Sequence, residues 1–128
     1  VMDATRPMSV QQVMWDAVKN TDKRIYVSNP KNGGGLHNYG LAVDVTLCQV
    51  NGDTLAMGVK IDNMTRLSHI DKEDELLKQG KISKEAYDNR RLLREVMQYG
   101  GFKPLRTEWW HFNIRTRSQA KQYFKVVR

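Results

Sequence analysis

The chain has 128 residues, of which 40% are hydrophobic and 27% are charged, and it contains three prolines and one cysteine. This composition is typical of a globular protein with its own core, and it excludes collagen-like, disordered and disulfide-stapled chains. No apolar run approaches the roughly 18 residues that a membrane span needs, so we expect no membrane-spanning segment. The 21 Lys and Arg exceed the 14 Asp and Glu and give a net charge of +7, which favours an anionic partner.

The N-terminal part of the chain predicts one helix followed by a glycine-rich loop. Ser9 is a suitable N-cap for a helix over residues 10–20, in which five apolar side chains recur at the spacing of one buried face. They are Val10, Val13, Met14, Ala17 and Val18. The polar segment 28–35 ends in three successive glycines and has the composition of a loop. Such glycines permit backbone conformations that other residues avoid and let a ligand approach closely.

Residues 41–48 alternate between two kinds of side chain, which predicts a β-strand. One face is apolar and the other is small and polar. The small, polar face consists of Ala42, Asp44, Thr46 and Cys48. We expect the thiol of Cys48 to be buried and structural, because its neighbours are apolar. Residues 51–53 supply turn chemistry, so residues 54–58 are predicted to return as a hairpin partner.

A long polar segment separates this hairpin from a second helix. Residues 62–80 are poorly periodic and predict mostly loop, with one short helix at most. Ser83 can cap a helix over residues 84–99, which the following pair of glycines would end. Its core side chains are expected to be Ala86, Leu93, Val96 and Met97. Its arginines are expected on a solvated face, and they are Arg90, Arg91 and Arg94.

The C-terminal part predicts one more strand and one more helix. Residues 109–114 are rich in aromatic side chains, as strands are. A last helix is predicted from Ser118 to the end of the chain. Helices beside antiparallel strands define an α+β fold, for which we expect a small antiparallel sheet flanked by two to three helices.

Two of the three histidines lie near a carboxylate that needs a partner. Asp44 belongs to the small face of its strand, where an isolated buried carboxylate is costly. His37 follows the glycines, and His111 lies in the second strand on the same side as Asn113. Two imidazoles and one carboxylate form the ligand set of a catalytic zinc ion that keeps its fourth position for water. Spacing alone favours the simpler alternative of an exposed loop histidine, a salt-bridged acid and a hydrogen-bonded strand histidine.

Five strings along the chain carry a more specific signal than this spacing. The string His37-Asn-Tyr-Gly-Leu-Ala-Val-Asp44 has the form H-x-x-G-x-A-x-D, and residues 108–112 read E-W-W-H-F. Residues 3–7 are similar to D-x-Y-R-P, residues 57–69 are similar to an M-G-x-x-F-D segment that ends in S-H, and residues 89–94 match the helix before E-W-W-H. In this order and with these gaps, they resemble the D-alanyl-D-alanine dipeptidases, the VanX-like group of zinc peptidases.

The resemblance implies a metal site with a general base. One Zn²⁺ per chain would be bound by His37, Asp44 and His111, on the small antiparallel sheet of a DD-peptidase/hedgehog-like fold. Glu108 would take a proton from a metal-activated water, so the chain would need no nucleophile of its own. Residues i and i+3 of a regular strand point to opposite faces. If Glu108 and His111 serve one metal, Glu108 must therefore lie at the irregular start of its strand, after a turn over residues 104–107.

The resemblance also implies two residues that contact the substrate. Arg6 would stabilise the oxyanion of the tetrahedral intermediate, because a guanidinium stays charged at all working pH values. Asp62 would pair with the free α-amino group of the substrate and so select dipeptides over the internal bonds of longer chains. His69 is expected to make a structural hydrogen bond that orders the loop of Asp62. Trp109 and Trp110 are expected to pack rather than to contact substrate.

The chain departs from the family pattern at a few positions. The family commonly has Ser two residues before its first histidine, where this chain has Gly35; Thr5 replaces a tyrosine, and Ile61 replaces a phenylalanine. These changes leave the ligand set intact and bear on which dipeptide is preferred. Since relatives are longer at the N-terminus, we expect residues 1–128 to form a single zinc peptidase catalytic domain that lacks an N-terminal segment of the same protein.

The implied function is that of a zinc metallopeptidase that hydrolyses D-alanyl-D-alanine or a related small dipeptide from peptidoglycan. Two alternatives stay open: a D,D- or L,D-carboxypeptidase or endopeptidase acting on longer stem peptides, and a non-catalytic zinc-binding interaction module. Asp62 favours the dipeptidase over the first, and Glu108 with Arg6 favours an enzyme over the second. Lys and Arg are scattered without interleaved aromatics, so no nucleic-acid partner is expected. Bacterial cytoplasm and cell envelope both stay open as compartments.

Overall fold

The computed structural model describes residues 1–128 and confirms the predicted α+β class with a small antiparallel sheet. The helices are α1 (Met8–Val18), α2 (Glu73–Lys78), α3 (Lys84–Tyr99) and α4 (Arg117–Tyr123), and the strands are β1 (Ala42–Asp44), β2 (Lys103–Leu105) and β3 (Glu108–Asn113). Short 3₁₀ helices lie in the connections, at Asp22–Tyr26, Pro30–Asn32, Leu36–Tyr39, Arg66–Ser68 and Ile70–Lys72. None of the helices has the length and apolar character that crossing a membrane requires.

The three strands form one sheet in the order β1-β3-β2, so β3 is the central strand. Next to the regular pairs, the N–H of Val45 donates to the carbonyl of Trp110 at 3.0 Å, and the N–H of Ile114 donates to the carbonyl of Leu41 at 3.0 Å. Residue numbers rise along one strand as they fall along the other, which is the register of an antiparallel pair. β1 is thereby fixed along its length to the strand that carries the E-W-W-H-F string.

β1 is shorter than the predicted strand over residues 41–48. The small side chains of Ala42 and Asp44 are buried, whereas Val43 between them is only half-buried. The chain leaves regular strand geometry after Asp44, and Cys48 is exposed in an isolated bridge to Thr54. This bridge confirms that the chain turns back here, but residues 55–58 form no strand, so the predicted hairpin partner is limited to Thr54. The prediction of a buried Cys48 is wrong. The strand ends at Asp44, so the alternation of buried and exposed side chains does not extend to Cys48.

The chain divides into two compact units, and the first comprises residues 1–43 and 113–128. Its helix α1 begins at Met8, with Pro7 rather than Ser9 at the N-cap position and without a side-chain capping hydrogen bond. The predicted apolar face of α1 is wrong, since Val13 is 70% exposed and the buried residue of the helix is Gln11. The side-chain amide of Gln11 donates to the carbonyl of Ser28 at 2.8 Å, and this hydrogen bond offsets the cost of burying it. Helix α4 stops at Tyr123, short of the predicted end.

The second unit comprises residues 44–112 and contains helices α2 and α3. The bounds predicted for α3 are confirmed, and the hydroxyl of Ser83 accepts the N–H of Ala86 at 3.0 Å as its cap. The one short helix allowed within residues 62–80 is α2. A core cluster in this unit consists of Leu76, Ile82 and Ala86.

The buried face of α3 differs from the predicted one at three positions, since Arg90 is buried and Met97, like Val96, is not. Ala86, Arg90 and Leu93 recur at i, i+4 and i+7 and are its buried residues, while Val96, predicted as core, is 54% exposed.

Arg90 is 0% exposed and the side chain of Arg94 is 17% exposed, so the predicted place of these two arginines on a solvated face is wrong. Arg94 pairs with the buried carboxylate of Glu73. The guanidinium of Arg90 is buried because main-chain carbonyls from an earlier segment accept its N–H groups.

Candidate metal centre

The three residues predicted as metal ligands come together in the structure. His37, Asp44 and His111 are 6%, 3% and 8% exposed, and one ligand atom of each lies within 4.8 Å of the others. The Nδ1 atom of His111 lies 3.3 Å from Oδ1 of Asp44. Two atoms bound at about 2.0 to 2.1 Å to one tetrahedral zinc ion are about 3.3 Å apart. This observed spacing therefore fits two ligands that share an ion.

The imidazole of His37 is oriented by a main-chain carbonyl. His37 lies in the 3₁₀ helix Leu36–Tyr39, and its Nδ1 lies 2.6 Å from the carbonyl oxygen of Ala4. An Nδ1–H that donates to a carbonyl fixes the tautomer and leaves the Nε2 lone pair for a metal ion. The segment of residues 3–7, which is similar to D-x-Y-R-P, thus takes part in building the site.

Residues 33–40, which we call the His37 turn, are held by the fully buried side chain of Asn38. Its Nδ2 donates to the carbonyl of Arg6 at 2.8 Å, and its Oδ1 accepts the N–H of Gly35 at 2.8 Å. Gly34 has a φ of +67°, and a Cβ at this position would clash with Oδ1 of Asn38. Glycine is therefore required here both for its backbone conformation and for the close approach. The result is a tightly packed turn that presents His37.

Glu108 is the first residue of β3, where the strand starts after the tight turn of residues 106–107. Its Oε2 lies 3.8 Å from Nδ1 of His111, although the two residues are three positions apart. The predicted start of the turn at residue 104 is wrong, since Pro104 belongs to β2. β2 is an edge strand, where a residue without an N–H is tolerated.

Arg6 is fixed beside His37 through its main chain and is oriented through its guanidinium. Its N–H donates to the carbonyl of His37 at 2.9 Å. Nη1 donates to Oε1 of Gln11 at 3.0 Å, and Nη2 donates to Oδ2 of Asp3 at 2.6 Å. The sequence interpretation missed Gln11 and Asn38, because a neutral amide within a helix or a turn carries no distinctive pattern. The only available signal was Gln11 on a helix of otherwise apolar periodicity.

Asp62 lies on an exposed loop and is not a member of the metal-binding group. It is the only non-glycine residue with a positive φ, at +68°. The N–H of Asn63 donates to the carbonyl of Lys60 at 3.2 Å, which closes a turn around Asp62. A non-glycine residue in this region costs about 1 kcal/mol or more and is a reason to ask what the residue does.

The remaining residues singled out from the sequence have structural surroundings. Trp109 and Trp110 are both 2% exposed and pack edge to face at 5.5 Å between ring centroids, which confirms their predicted packing role. Nδ1 of His69 lies 3.8 Å from Oδ1 of Asp71. Burial lowers the pKa of His69, and the nearby Arg106, Arg66 and Lys72 lower it further against the opposing charge of Asp71.

Comparison with known proteins assigns the chain to a family of peptidases. The peptidase M15 family model, described as D-ala-D-ala dipeptidase, matches residues 1–128, and the chain belongs to this family. The D-alanyl-D-alanine dipeptidase of Escherichia coli (strain K12) is 32% identical over 123 residues, which are 96% of this chain and 56% of that protein. The predicted resemblance is thereby confirmed.

Two enterococcal relatives match a shorter stretch. The D-alanyl-D-alanine dipeptidase of Enterococcus faecium is 34% identical over 89 residues, which are 69% of this chain and 41% of that protein. The D-alanyl-D-alanine dipeptidase of Enterococcus faecalis (strain ATCC 700802 / V583) is 32% identical over 92 residues, or 71% of this chain and 42% of that protein. The chain spans about half the length of the curated relatives it matches.

Proposed function

We propose that this protein is a zinc-dependent dipeptidase that hydrolyses D-alanyl-D-alanine or a related small dipeptide derived from peptidoglycan. The observation that carries the proposal is the buried group of His37, Asp44 and His111 in a chain of the peptidase M15 family. A set of two imidazoles and one carboxylate leaves one position of tetrahedral zinc open. Zinc bound there would polarise the peptide carbonyl and lower the pKa of the attacking water to about 7.

Glu108 is the residue that we assign to proton transfer. Its carboxylate lies at the edge of the ligand group, with Oε2 3.8 Å from Nδ1 of His111. As a general base, the carboxylate accepts a proton from the water while the water oxygen bonds to the peptide carbon. It then gives that proton to the leaving amine as the carbon–nitrogen bond breaks. The side chain thereby returns to its starting charge after each turnover.

Arg6 is the residue that we assign to the developing oxyanion. Its hydrogen bonds to Gln11 and Asp3 use two of the five guanidinium N–H groups, and they hold the plane of the fork in one orientation. Donors fixed before the reaction need no reorganisation when negative charge appears on the carbonyl oxygen. A guanidinium held in this way stabilises the tetrahedral intermediate more than the neutral substrate.

Asp62 is the residue that we assign to substrate selection. An exposed carboxylate pairs well with the free α-amino group of a dipeptide, whereas an acylated or internal residue offers no charge to pair with. The positive φ of Asp62 costs a non-glycine residue backbone energy, which favours a functional role for this side chain. Selection of a charged amine distinguishes a dipeptidase from an enzyme that trims longer stem peptides.

The proposal is tested by assaying zinc-loaded protein on D-Ala-D-Ala and on its N-acetylated form. We expect kcat/KM to be roughly 10- to 100-fold higher for the free dipeptide, which is the worth of one hydrogen bond between charged groups. Asp62→Asn should abolish this preference while keeping the loop, since asparagine also tolerates a positive φ. Asp53→Asn is the matched control, because Asp53 is another exposed acid in a turn and should keep the preference.

Each of the other outcomes contradicts a stated part of the proposal. Equal cleavage of the two substrates by the unmodified protein contradicts the role of Asp62. Faster cleavage of longer stem peptides identifies a carboxypeptidase or endopeptidase of the same chemistry. Zinc binding without cleavage of any of these substrates identifies the non-catalytic interaction module.

A further inference from the structure

Arg90 is a buried charged residue that has no part in the chemistry described above. It lies on the inner face of α3 and is 0% exposed. Burial lowers the pKa of Arg90 to about 10, with the nearby charge of Glu73 opposing that shift. The guanidinium is thus still charged at neutral pH, and its contacts must explain why a charge is kept there.

Two of those contacts are with main-chain carbonyls at the ends of one loop. Nε of Arg90 donates to the carbonyl of Met57 at 2.7 Å, and Nη2 donates to the carbonyl of Leu67 at 2.8 Å. The residues between these anchors, 58–66, form what we call the Asp62 loop. Because the guanidinium is a rigid planar fork, it fixes the distance and orientation between the two ends. The preceding residue, Asn89, adds a hydrogen bond from Nδ2 to the carbonyl of Ala56 at 2.9 Å.

Inside the Asp62 loop, hydrogen bonds carry this constraint to the turn at Asp62. The N–H of Thr65 donates to the carbonyl of Asn63 at 2.9 Å, and the fully buried hydroxyl of Ser68 donates to the same carbonyl. The N–H of Asn63 in turn donates to the carbonyl of Lys60 and closes the turn. The backbone on either side of Asp62 is therefore tied to residues next to the Leu67 anchor.

The start of the Asp62 loop is packed directly against the guanidinium. Gly58 has a φ of +88°, and a Cβ at this position would lie 3.2 Å from Nη2 of Arg90 and 2.8 Å from Cγ2 of Ile82. Any larger residue would push the loop away from its anchor. The sequence thus has glycine where the loop backbone packs against Arg90 and Ile82.

The charge of Arg90 is compensated only in part. Its Nη1 makes no hydrogen bond and lies 4.0 Å from Oε1 of Glu73, whose carboxylate is engaged by both Nη atoms of Arg94 at 3.1 and 2.6 Å. The guanidinium also lies 5.8 Å from the centroid of the Trp109 ring. A buried cation with a spare donor contributes little net stability, so stability alone does not account for the burial of Arg90. Its role in fixing the geometry of the loop accounts for it.

We propose that Arg90 is a positioning residue for substrate selection. By bridging the carbonyls of Met57 and Leu67, it holds the Asp62 loop in the conformation in which the Asp62 carboxylate pairs with a free α-amino group. This inference rests on the proposed function. It extends that function from Asp62, which would contact the amine, to Arg90, which holds the Asp62 loop.

The test compares Arg90→Lys with Arg91→Lys. Lysine keeps the charge but lacks the planar fork, and Arg91 is the exposed neighbour on the same helix, whose Nη1 contacts the hydroxyl of Tyr87. We expect Arg90→Lys to lower the preference for D-Ala-D-Ala over its N-acetylated form at least tenfold, with unchanged zinc content, while Arg91→Lys keeps it. Adding Arg90→Lys to Asp62→Asn should change the preference no further. Equal losses on both substrates, or losses that multiply in the double variant, would overturn the proposal.

A second measurement separates this inference from the proposed function. Hydrogen exchange of the Asn63 and Thr65 amides should become at least tenfold faster in Arg90→Lys than in Arg91→Lys, whether or not the protein cleaves any dipeptide. Unchanged exchange overturns the inference, whereas a lack of cleavage with faster exchange overturns only the proposed function. If Arg90→Lys does not fold, Asn89→Ala takes its place, because it removes the adjacent hydrogen bond to the carbonyl of Ala56. We then expect amide exchange to become about two- to fivefold faster and the preference for the free dipeptide to fall by a similar factor. Unchanged exchange and preference in Asn89→Ala would contradict the inference.

Discussion

The His37 turn and the Asp62 loop each present one candidate functional side chain from irregular backbone, but they are held in different ways. Both contain glycine with a positive φ, and each is held by a fully buried side chain that donates to the main chain. In the His37 turn that side chain is Asn38, which is neutral and adjacent in sequence to the residue that it supports. In the Asp62 loop it is Arg90, which is charged and comes from a helix later in the chain.

This difference matches the exposure of the two functional groups. The imidazole of His37 is buried, and a neutral amide holds its turn without adding a charge next to a group that is proposed to bind a cation. Asp62 is exposed, where a substrate can reach it. The part of the chain proposed for chemistry is thus held by a neutral amide within its own turn, which bonds to Gly35 and to Arg6. The part proposed for selection is held by a charged side chain from outside its loop. Changes in the first should therefore affect every substrate, and changes in the second should affect the choice among substrates.

The largest expected effect comes from the group proposed for chemistry. Glu108→Gln removes the proposed general base. Such a group contributes about 10²- to 10⁴-fold, so kcat should fall by that factor for D-Ala-D-Ala and its N-acetylated form alike. Steady-state kinetics with zinc content measured in parallel will check this. Glu95→Gln, on the exposed side of α3, is the control and should change neither value. A Glu108→Gln protein that keeps more than a tenth of the activity is incompatible with the assigned role.

A smaller effect is expected in the packing of the His37 turn. Gly34→Ala introduces a Cβ that meets Asn38, in addition to the strain of its positive φ. Gly80→Ala is the matched control, because Gly80 has a φ of +69° and no atom within 4 Å of the added Cβ. We expect Gly34→Ala to lower the free energy of unfolding by about 1 to 3 kcal/mol more than the control does. Urea denaturation measures the free energy of unfolding of both variants. Equal losses of stability would show that the turn accommodates the added Cβ without a clash.

The smallest expected effect is a pH dependence near the Asp62 loop. Since burial lowers the pKa of His69 below its usual 6.5, the unfolded chain takes up a proton before the folded chain does as the pH falls. His69 therefore disfavours the folded state progressively below pH 6.5 and has no such effect above it. Unfolding of the unmodified protein and of His69→Gln should differ more at pH 5.5 than at pH 7.5, with the unmodified protein losing more stability. A difference that is constant with pH would show that His69 does not titrate in this way.

Several features of the fold follow from local sequence signals. α3 has the bounds predicted from the Ser83 cap and the glycines that follow Tyr99, because capping depends on neighbouring residues. The string from His37 to Asp44 and the string that contains His111 identified the three residues that the structure brings together. That they meet depends on the pairing of β1 with β3, which the spacing within either string does not determine.

Two failures of the sequence interpretation involve buried polar groups with distant partners. Arg90 was assigned to solvent because arginines usually are solvated, yet its acceptors lie 33 and 23 residues earlier in the chain. On α1 the apolar periodicity pointed to the wrong face, because the buried position belongs to Gln11, whose partner Ser28 lies 17 residues later. Hydrogen bonds between residues so far apart in sequence form only when the chain folds. The periodicity of apolar residues along one helix therefore does not predict them.

The central claim, that His37, Asp44 and His111 bind one zinc ion, is tested most directly by calorimetric titration of metal-free protein with Zn²⁺. The chain has three histidines, so His111→Ala removes a proposed ligand and His69→Ala provides a matched control outside the group. We expect one Zn²⁺ ion per chain in the unmodified protein and in His69→Ala, and no comparable binding in His111→Ala. The absence of binding in the unmodified protein, or unchanged binding in His111→Ala, would contradict it.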